Sequence, residues 1–121
     1  MAGEDRSPLA AVEAHLAAFN ARDADAVAAT FASDATFVAG EQLVIGRAAL
    51  RAMFADAFAA PIRAHLALRH AVVEGDVAAC ELVETLSTPG GSHELDVAAF
   101  YAARDGRLTR ARVYRDLGEP T

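Results

Sequence analysis

At Pro61 the apolar residues of this chain change period, which divides it into a helical part and a stranded part. Before Pro61 the large side chains recur every three or four residues; after it they alternate. Three turn signals punctuate the remainder: Glu74-Gly75-Asp76, Pro89-Gly90-Gly91-Ser92 and Asp105-Gly106. Spaced this way, they cut the stretch that ends at Asp116 into four long antiparallel strands joined by hairpins. Helices followed by a meander bury their apolar faces by laying the helices on one face of the sheet, which predicts an α+β fold.

Within the helical part, Ser7-Pro8 can start a helix, with Ser as cap and Pro pre-set for the first turn. Val12, His15, Leu16 and Phe19 share one stripe of that helix, expected over about residues 8–20. Asp23 can cap a short second helix with Val27 and Phe31 on its buried side, ending at Ser33-Asp34. Ala35–Ala39 then reads as a strand, and Gln42–Ile45 as a short extended piece. Gly46 opens a third helix whose Leu50, Met53, Phe54, Ala57 and Phe58 form one apolar face up to Pro61.

At 121 residues the chain is expected to be a single domain, residues 8–118, behind a disordered tail of residues 1–7. Its single cysteine, Cys80, rules out an internal disulfide and fits a reducing cytoplasm. No apolar run approaches the ~18 residues of a membrane span, and the opening MAGEDRSP lacks the apolar core of a signal peptide. A net charge of −6 with no lysine argues against a nucleic-acid partner.

Counting back from the turns gives a register. Gly75-Asp76 as a two-residue turn sets His70 opposite Glu81 and Leu68 opposite Val83. A four-residue loop Pro89–Ser92 sets Glu81 opposite Phe100, and Asp105-Gly106 sets Asp96 opposite Arg115. One face then carries Leu66, Leu68, His70, Glu81, Val83, Asp96, Ala98, Phe100, Ala111, Val113 and Arg115, and is expected to meet the helices. Its charges fall into opposite-sign neighbours, His70 with Glu81 and Asp96 with Arg115, as burial demands. Cys80, Leu82, Glu84, Val97, Tyr101, Tyr114 and Asp116 are assigned to the outer face. That face is expected to be covered by a second copy of the chain, giving a homodimer. The His, Glu and Asp neighbours in sequence straddle the sheet, so no metal site is expected.

The residues HLAAFNARDADAVAATFASDATFVAG, GRAALRAMF and DGRLTRARVYRD resemble the SnoaL-like group of the nuclear transport factor two-like superfamily. The resemblance covers about residues 8–118. It implies a cone-shaped, curved antiparallel sheet with three N-terminal helices on its concave face, a pocket inside the cone, and usually a dimer or larger assembly. The superfamily holds ketosteroid isomerases, polyketide cyclases, epoxide hydrolases, dehydratases and noncatalytic binders. By this resemblance His15 falls where the isomerases have their oxyanion-binding tyrosine. Ala39 and Ala98 fall where they have their two carboxyl groups, which argues against steroid isomerisation by that route.

Candidate catalytic residues are therefore His15 at the pocket floor and the His70–Glu81 pair, a base oriented by a carboxylate. Asp96 and Arg115 are candidate ligand anchors at the mouth, and Phe19, Phe37, Met53, Phe54, Phe58, Val83 and Phe100 are candidate walls. The expected function is binding of a small hydrophobic carbonyl-containing molecule, with cofactor-independent cyclisation, isomerisation or dehydration if the chain is an enzyme. The alternative is a noncatalytic ligand-binding or protein-interaction module.

Overall fold

The computed structural model describes residues 6–116, so residues 1–5 of the expected tail, and residues 117 and 118 of the expected domain, lie outside it. Its elements are α1 (Pro8–Asn20), α2 (Ala24–Ala29), β1 (Phe31–Ala39), β2 (Gln42–Ile45), α3 (Arg47–Ala59), β3 (Arg63–Glu74), β4 (Val77–Thr88), β5 (Gly91–Arg104) and β6 (Arg107–Asp116). The strands form one curved, open six-stranded sheet in the order β2-β1-β6-β5-β4-β3. All pairings are antiparallel except β1 with β6, so the sheet is mixed.

Local chemistry sets the helix starts. The Ser7 hydroxyl accepts from Ala10 N–H, the Asp23 carboxylate accepts from Ala26 N–H, and Pro8 occupies the first turn of α1. Helix α2 ends at Ala29, earlier than expected, because Thr30 folds its hydroxyl back to donate to Val27 O and Phe31 already pairs with Leu108 in β6. The irregular turn of chain after Phe31 is held by Arg47, whose Nε and Nη2 both donate to Phe31 O.

Helix α1 lies across the inner face of the sheet and presents Ala11, Val12, His15, Leu16 and Phe19 to it. Helix α3 packs on α2 and β1 through Leu50 and Phe54. Phe54 is the hub of the aromatic core, with ring contacts to Phe19, Phe31, Phe37 and Phe58 at 5.8–6.3 Å.

The turns fall where the sequence put them. Glu74 pairs with Val77 and Arg104 with Arg107, with Gly75, Asp105 and Gly106 supplying the positive φ that tight hairpins require. The Pro89 loop is tighter than expected, because Thr88 pairs with Gly91; this slides β5 by two residues and leaves its parity unchanged. Two bulges do change parity. In β3 the pairing steps from Leu68↔Leu82 to His70↔Glu81, leaving Arg69 unpaired. In β6 it steps from Leu108↔Ala103 to Arg110↔Ala102, leaving Thr109 unpaired.

Each extra residue inverts the face, so the expected inward set is right for Leu66 and Leu68 of β3 and for Ala111, Val113 and Arg115 of β6, and inverted throughout β4 and β5. The inner face of these two strands carries Ala78, Cys80, Leu82, Glu84, Val97, Ala99, Tyr101 and Ala103, all buried.

Strand β3 is one edge of the sheet, and α1 closes part of that edge. The Asn20 side-chain amide donates to Leu66 O, and its oxygen accepts from Leu66 N–H, both at 2.8 Å. Asn20→Ala orphans both groups and is expected to cost about 1–3 kcal/mol. Urea unfolding measures the loss, and amide exchange should rise first around Leu66.

Candidate functional site

Between α1, α3 and the sheet the structure leaves a small cavity of about 50 Å³, lined by His15, Phe19, Phe37, Phe54, Leu66, Leu82, Val97, Tyr101, Val113 and Arg115. This is room for about four waters, or for a ligand with about as many heavy atoms. The walls are aromatic and aliphatic, and three polar side chains enter them.

His15 is 2 % exposed and packs edge-on against Phe31 and Phe54, with Tyr101 5.7 Å away. Its Nδ1 lies 3.4 Å from Thr30 Oγ1. The one hydroxyl proton of Thr30 is already given to Val27 O at 2.6 Å, so the imidazole supplies the proton of this contact. That fixes the tautomer with Nδ1 protonated and leaves Nε2 as an acceptor. Burial lowers the His15 pKa to about 4, so the ring is neutral at neutral pH.

Tyr101 is equally buried, and burial, with a smaller push from Cys80, raises its pKa; Arg115 opposes the rise. Its hydroxyl therefore stays protonated. Neither that hydroxyl nor His15 Nε2 has a hydrogen-bond partner among the described residues. Because no fully enclosed side-chain nitrogen or oxygen there lacks one, both atoms keep some accessible surface, and both residues line the cavity.

Arg115 is the third polar group. Its Nε donates to Glu84 Oε1 at 2.7 Å, and its Nη2 lies 3.4 Å from Oε2. Glu84 is 3 % exposed, whereas the arginine side chain is 41 % exposed and also lines two grooves outside the cavity. The guanidinium therefore stands at the mouth, anchored from below by a buried carboxylate.

The other expected site residues are distributed differently. His70 and Glu81 do pair across β3 and β4, as expected, but on the outer face, where both are exposed. Glu81 and Asp96 flank Arg69 there, at 3.8 and 3.5 Å. The expected Asp96–Arg115 pair is replaced by Glu84–Arg115, because the Thr109 bulge sets Arg115 opposite Val97 and Asp96 opposite Asp116. Phe100, 44 % exposed, and half-buried Val83 face outward with them. Ala98, carried over from the isomerase pattern, is also outside, opposite Tyr114. Met53 and Phe58 pack against the core without lining the cavity. Cys80, expected outside, is buried on the inner face, where burial raises its thiol pKa to about 11 and keeps it protonated.

Glu84 and Tyr101 were both missed as inner residues. A signal for them was present: consecutive polar residues interrupt the alternation at Arg69-His70 and at Thr109-Arg110, stretching the apolar spacing from two to three. Both bulges sit there. Among the described residues no three His, Cys, Asp or Glu side chains are grouped to hold a metal ion, and no helix is long and apolar enough to cross a membrane.

The model of the SnoaL-like domain family matches residues 12–111. The chain belongs to that family. No curated protein matches it. Among solved structures, an LEH-like epoxide hydrolase from M. tuberculosis is 22% identical at TM-score 0.81, with 91% of this chain and 83% of that one covered. A hypothetical protein of ketosteroid isomerase-like fold from Catenulispora acidiphila, solved with trimethylamine, is 23% identical at TM-score 0.81, covering 88% and 85%. A Sinorhizobium meliloti protein described as a "putative polyketide cyclase" is 24% identical at TM-score 0.71, covering 85% and 92%. At these identities the likeness is one of fold, which is the α+β arrangement expected from the sequence.

Acidification should weaken this SnoaL-like domain through His15. The unfolded chain takes up a proton near pH 6.5 and the native ring only near pH 4, so stability is full above about pH 6.5 and falls between those values. The displacement corresponds to a loss of roughly 3 kcal/mol. Urea midpoints from pH 7 to 4 should show this slope, and His15→Phe should flatten it.

Proposed function

We propose that this SnoaL-like domain binds a compact, uncharged, carbonyl-bearing molecule in the cavity and exchanges a proton with it through His15. The supporting observation is the convergence of an unpartnered acceptor, His15 Nε2, and an unpartnered donor, the Tyr101 hydroxyl, in an apolar cavity with a guanidinium at its mouth. A carbonyl oxygen accepts from Tyr101 or Arg115. The proton on the adjacent carbon passes to Nε2, and the enolate charge that forms on oxygen is held by the same donors. Return of the proton to a different carbon gives isomerisation; transfer to a β-hydroxyl that leaves as water gives dehydration; and attack of the enolate carbon on a second carbonyl of the same molecule, whose oxygen takes the proton, gives cyclisation, all with no redox step. The enolate also stabilises the imidazolium formed beside it, which lifts the basicity of His15 above its resting value. The epoxide hydrolase and cyclase names of the structural neighbours fit acid–base chemistry of this kind.

Acetone in deuterium oxide offers a minimal substrate. The protein should accelerate exchange of its α-protons, His15→Ala should lose on the order of a hundredfold of that acceleration, and Tyr101→Phe should lose a comparable share. Equal exchange by the wild-type and His15→Ala proteins would remove His15 from the chemistry. The low pKa of His15 favours a second reading, a binding module without chemistry. Saturable acetone-induced shifts of the His15 ring, without catalysed exchange, select it.

The outer face supports a homodimer. Val72, Phe100 and Tyr114 are exposed there, and Arg69 and Arg112 share the face with Glu81 and Asp96, so a two-fold axis can set opposite charges against each other. Sedimentation should give twice the chain mass, and Phe100→Asp should shift it to the monomer. The buried, protonated thiol of Cys80 fits a cytoplasmic setting for this assembly.

A further inference from the structure

We infer that Glu84 is the specificity-determining residue of the cavity: by cancelling the charge of Arg115 it selects neutral ligands over anionic ones of the same shape. The inference rests on the ligand-binding reading above and names what that site prefers. Arg115 alone would make the mouth a carboxylate receptor, since its planar guanidinium presents five N–H donors in a fixed fork. Glu84 takes two of them, through Nε and Nη2, and leaves three that meet no carboxylate or carbonyl among the described residues. Those three can still hold a carbonyl oxygen. A ligand carboxylate would share the same guanidinium with a buried carboxylate a few ångströms away, and mutual repulsion removes much of the attraction.

Nothing else in the cavity restores a positive balance. His15 and Tyr101 are both neutral at neutral pH, and the remaining walls are hydrocarbon. Glu84 also lacks a structural reason of the ordinary kind to be charged. It stands in a row of inner-face residues, Ala78, Cys80 and Leu82, where an apolar side chain would pack at no desolvation cost. The buried carboxylate at this position has one partner among the described residues, Arg115, and its effect is on that partner's charge.

Acetamide, acetate and methylammonium test the inference, because the first two are nearly the same shape and differ in charge. Binding is read from NMR shifts of the His15 ring and Tyr101. The wild-type domain should bind acetamide in preference to acetate. Glu84→Gln keeps an oxygen for Arg115 Nε but frees the positive charge, so acetate should gain on the order of tenfold or more and overtake acetamide. Arg115→Gln inverts the imbalance and should favour methylammonium; since Arg115 is partly exposed, this variant carries the test alone if Glu84→Gln does not fold. Acetamide binding with an unchanged order of preference in the folded variants overturns the role of Glu84. No response to any probe in any of the three proteins overturns the ligand-binding reading beneath it.

Discussion

Two unpaired residues, Arg69 in β3 and Thr109 in β6, govern which side chains this sheet shows to its helices. A strand has a side-chain period of two, so one extra residue exchanges its faces beyond that point. The bulges sit on the strands flanking β4 and β5, one on each side, and between them they set the parity of the middle pair. Leu82, Glu84, Val97 and Tyr101 face inward as a consequence, and His70, Glu81, Asp96 and Phe100 face outward. Every polar feature of the cavity except His15 depends on this, including the ion pair of buried Glu84 with Arg115, which reaches from β6 across β5 to β4.

The fold was legible because its signals are local. Ser7-Pro8, Asp23 and the Gly-containing turns act within a few residues of themselves, and each produced a helix start or hairpin where one was expected, the Pro89 turn being two residues tighter. His15 was legible for the same reason, since helical spacing alone puts it in the stripe of Val12, Leu16 and Phe19. The rest of the site required parity to be carried along strands of ten or more residues, where a single uncounted bulge reverses the answer. Both faces of β5 are rich in small apolar residues, so hydrophobicity gave no warning: Val97, Ala99 and Tyr101 compete with Ala98, Phe100 and Ala102 on nearly equal terms. The deciding evidence was the doubled polar residues at Arg69-His70 and Thr109-Arg110, which a strict alternation passes over.

The size of the cavity follows from the aromatic content of the helices. Phe19, Phe54 and Phe58 from the helices and Phe31 and Phe37 from β1 meet ring to ring, and they fill most of the space that a curved sheet leaves beneath its helices. What remains is bounded by His15, Tyr101 and Arg115, so the unfilled volume and the unpartnered polar atoms coincide. In a well-packed core each is costly separately, the void through lost contacts and the polar atoms through lost hydrogen bonds. A ligand that fills the one and satisfies the other recovers both.

The charges of the interior are consistent with that economy of space. His15 is kept neutral by burial, Tyr101 is kept protonated by burial, and Arg115, the one cation that reaches the cavity among the described residues, is matched by a carboxylate beneath it. A small volume with no net charge has little to offer a hydrated ion, whose shell it cannot replace. It has three directional groups to offer a neutral carbonyl, and they differ in kind: an acceptor at His15, a neutral donor at Tyr101 and a cationic donor at Arg115. A charge that forms inside the cavity meets these donors without a hydration shell to shed, whereas one brought in from water must lose its shell first. The neutrality of the resting site therefore comes from the Glu84–Arg115 pair at the mouth, and its hold on an enolate comes from the Tyr101 hydroxyl and from the Arg115 N–H groups that Glu84 leaves free.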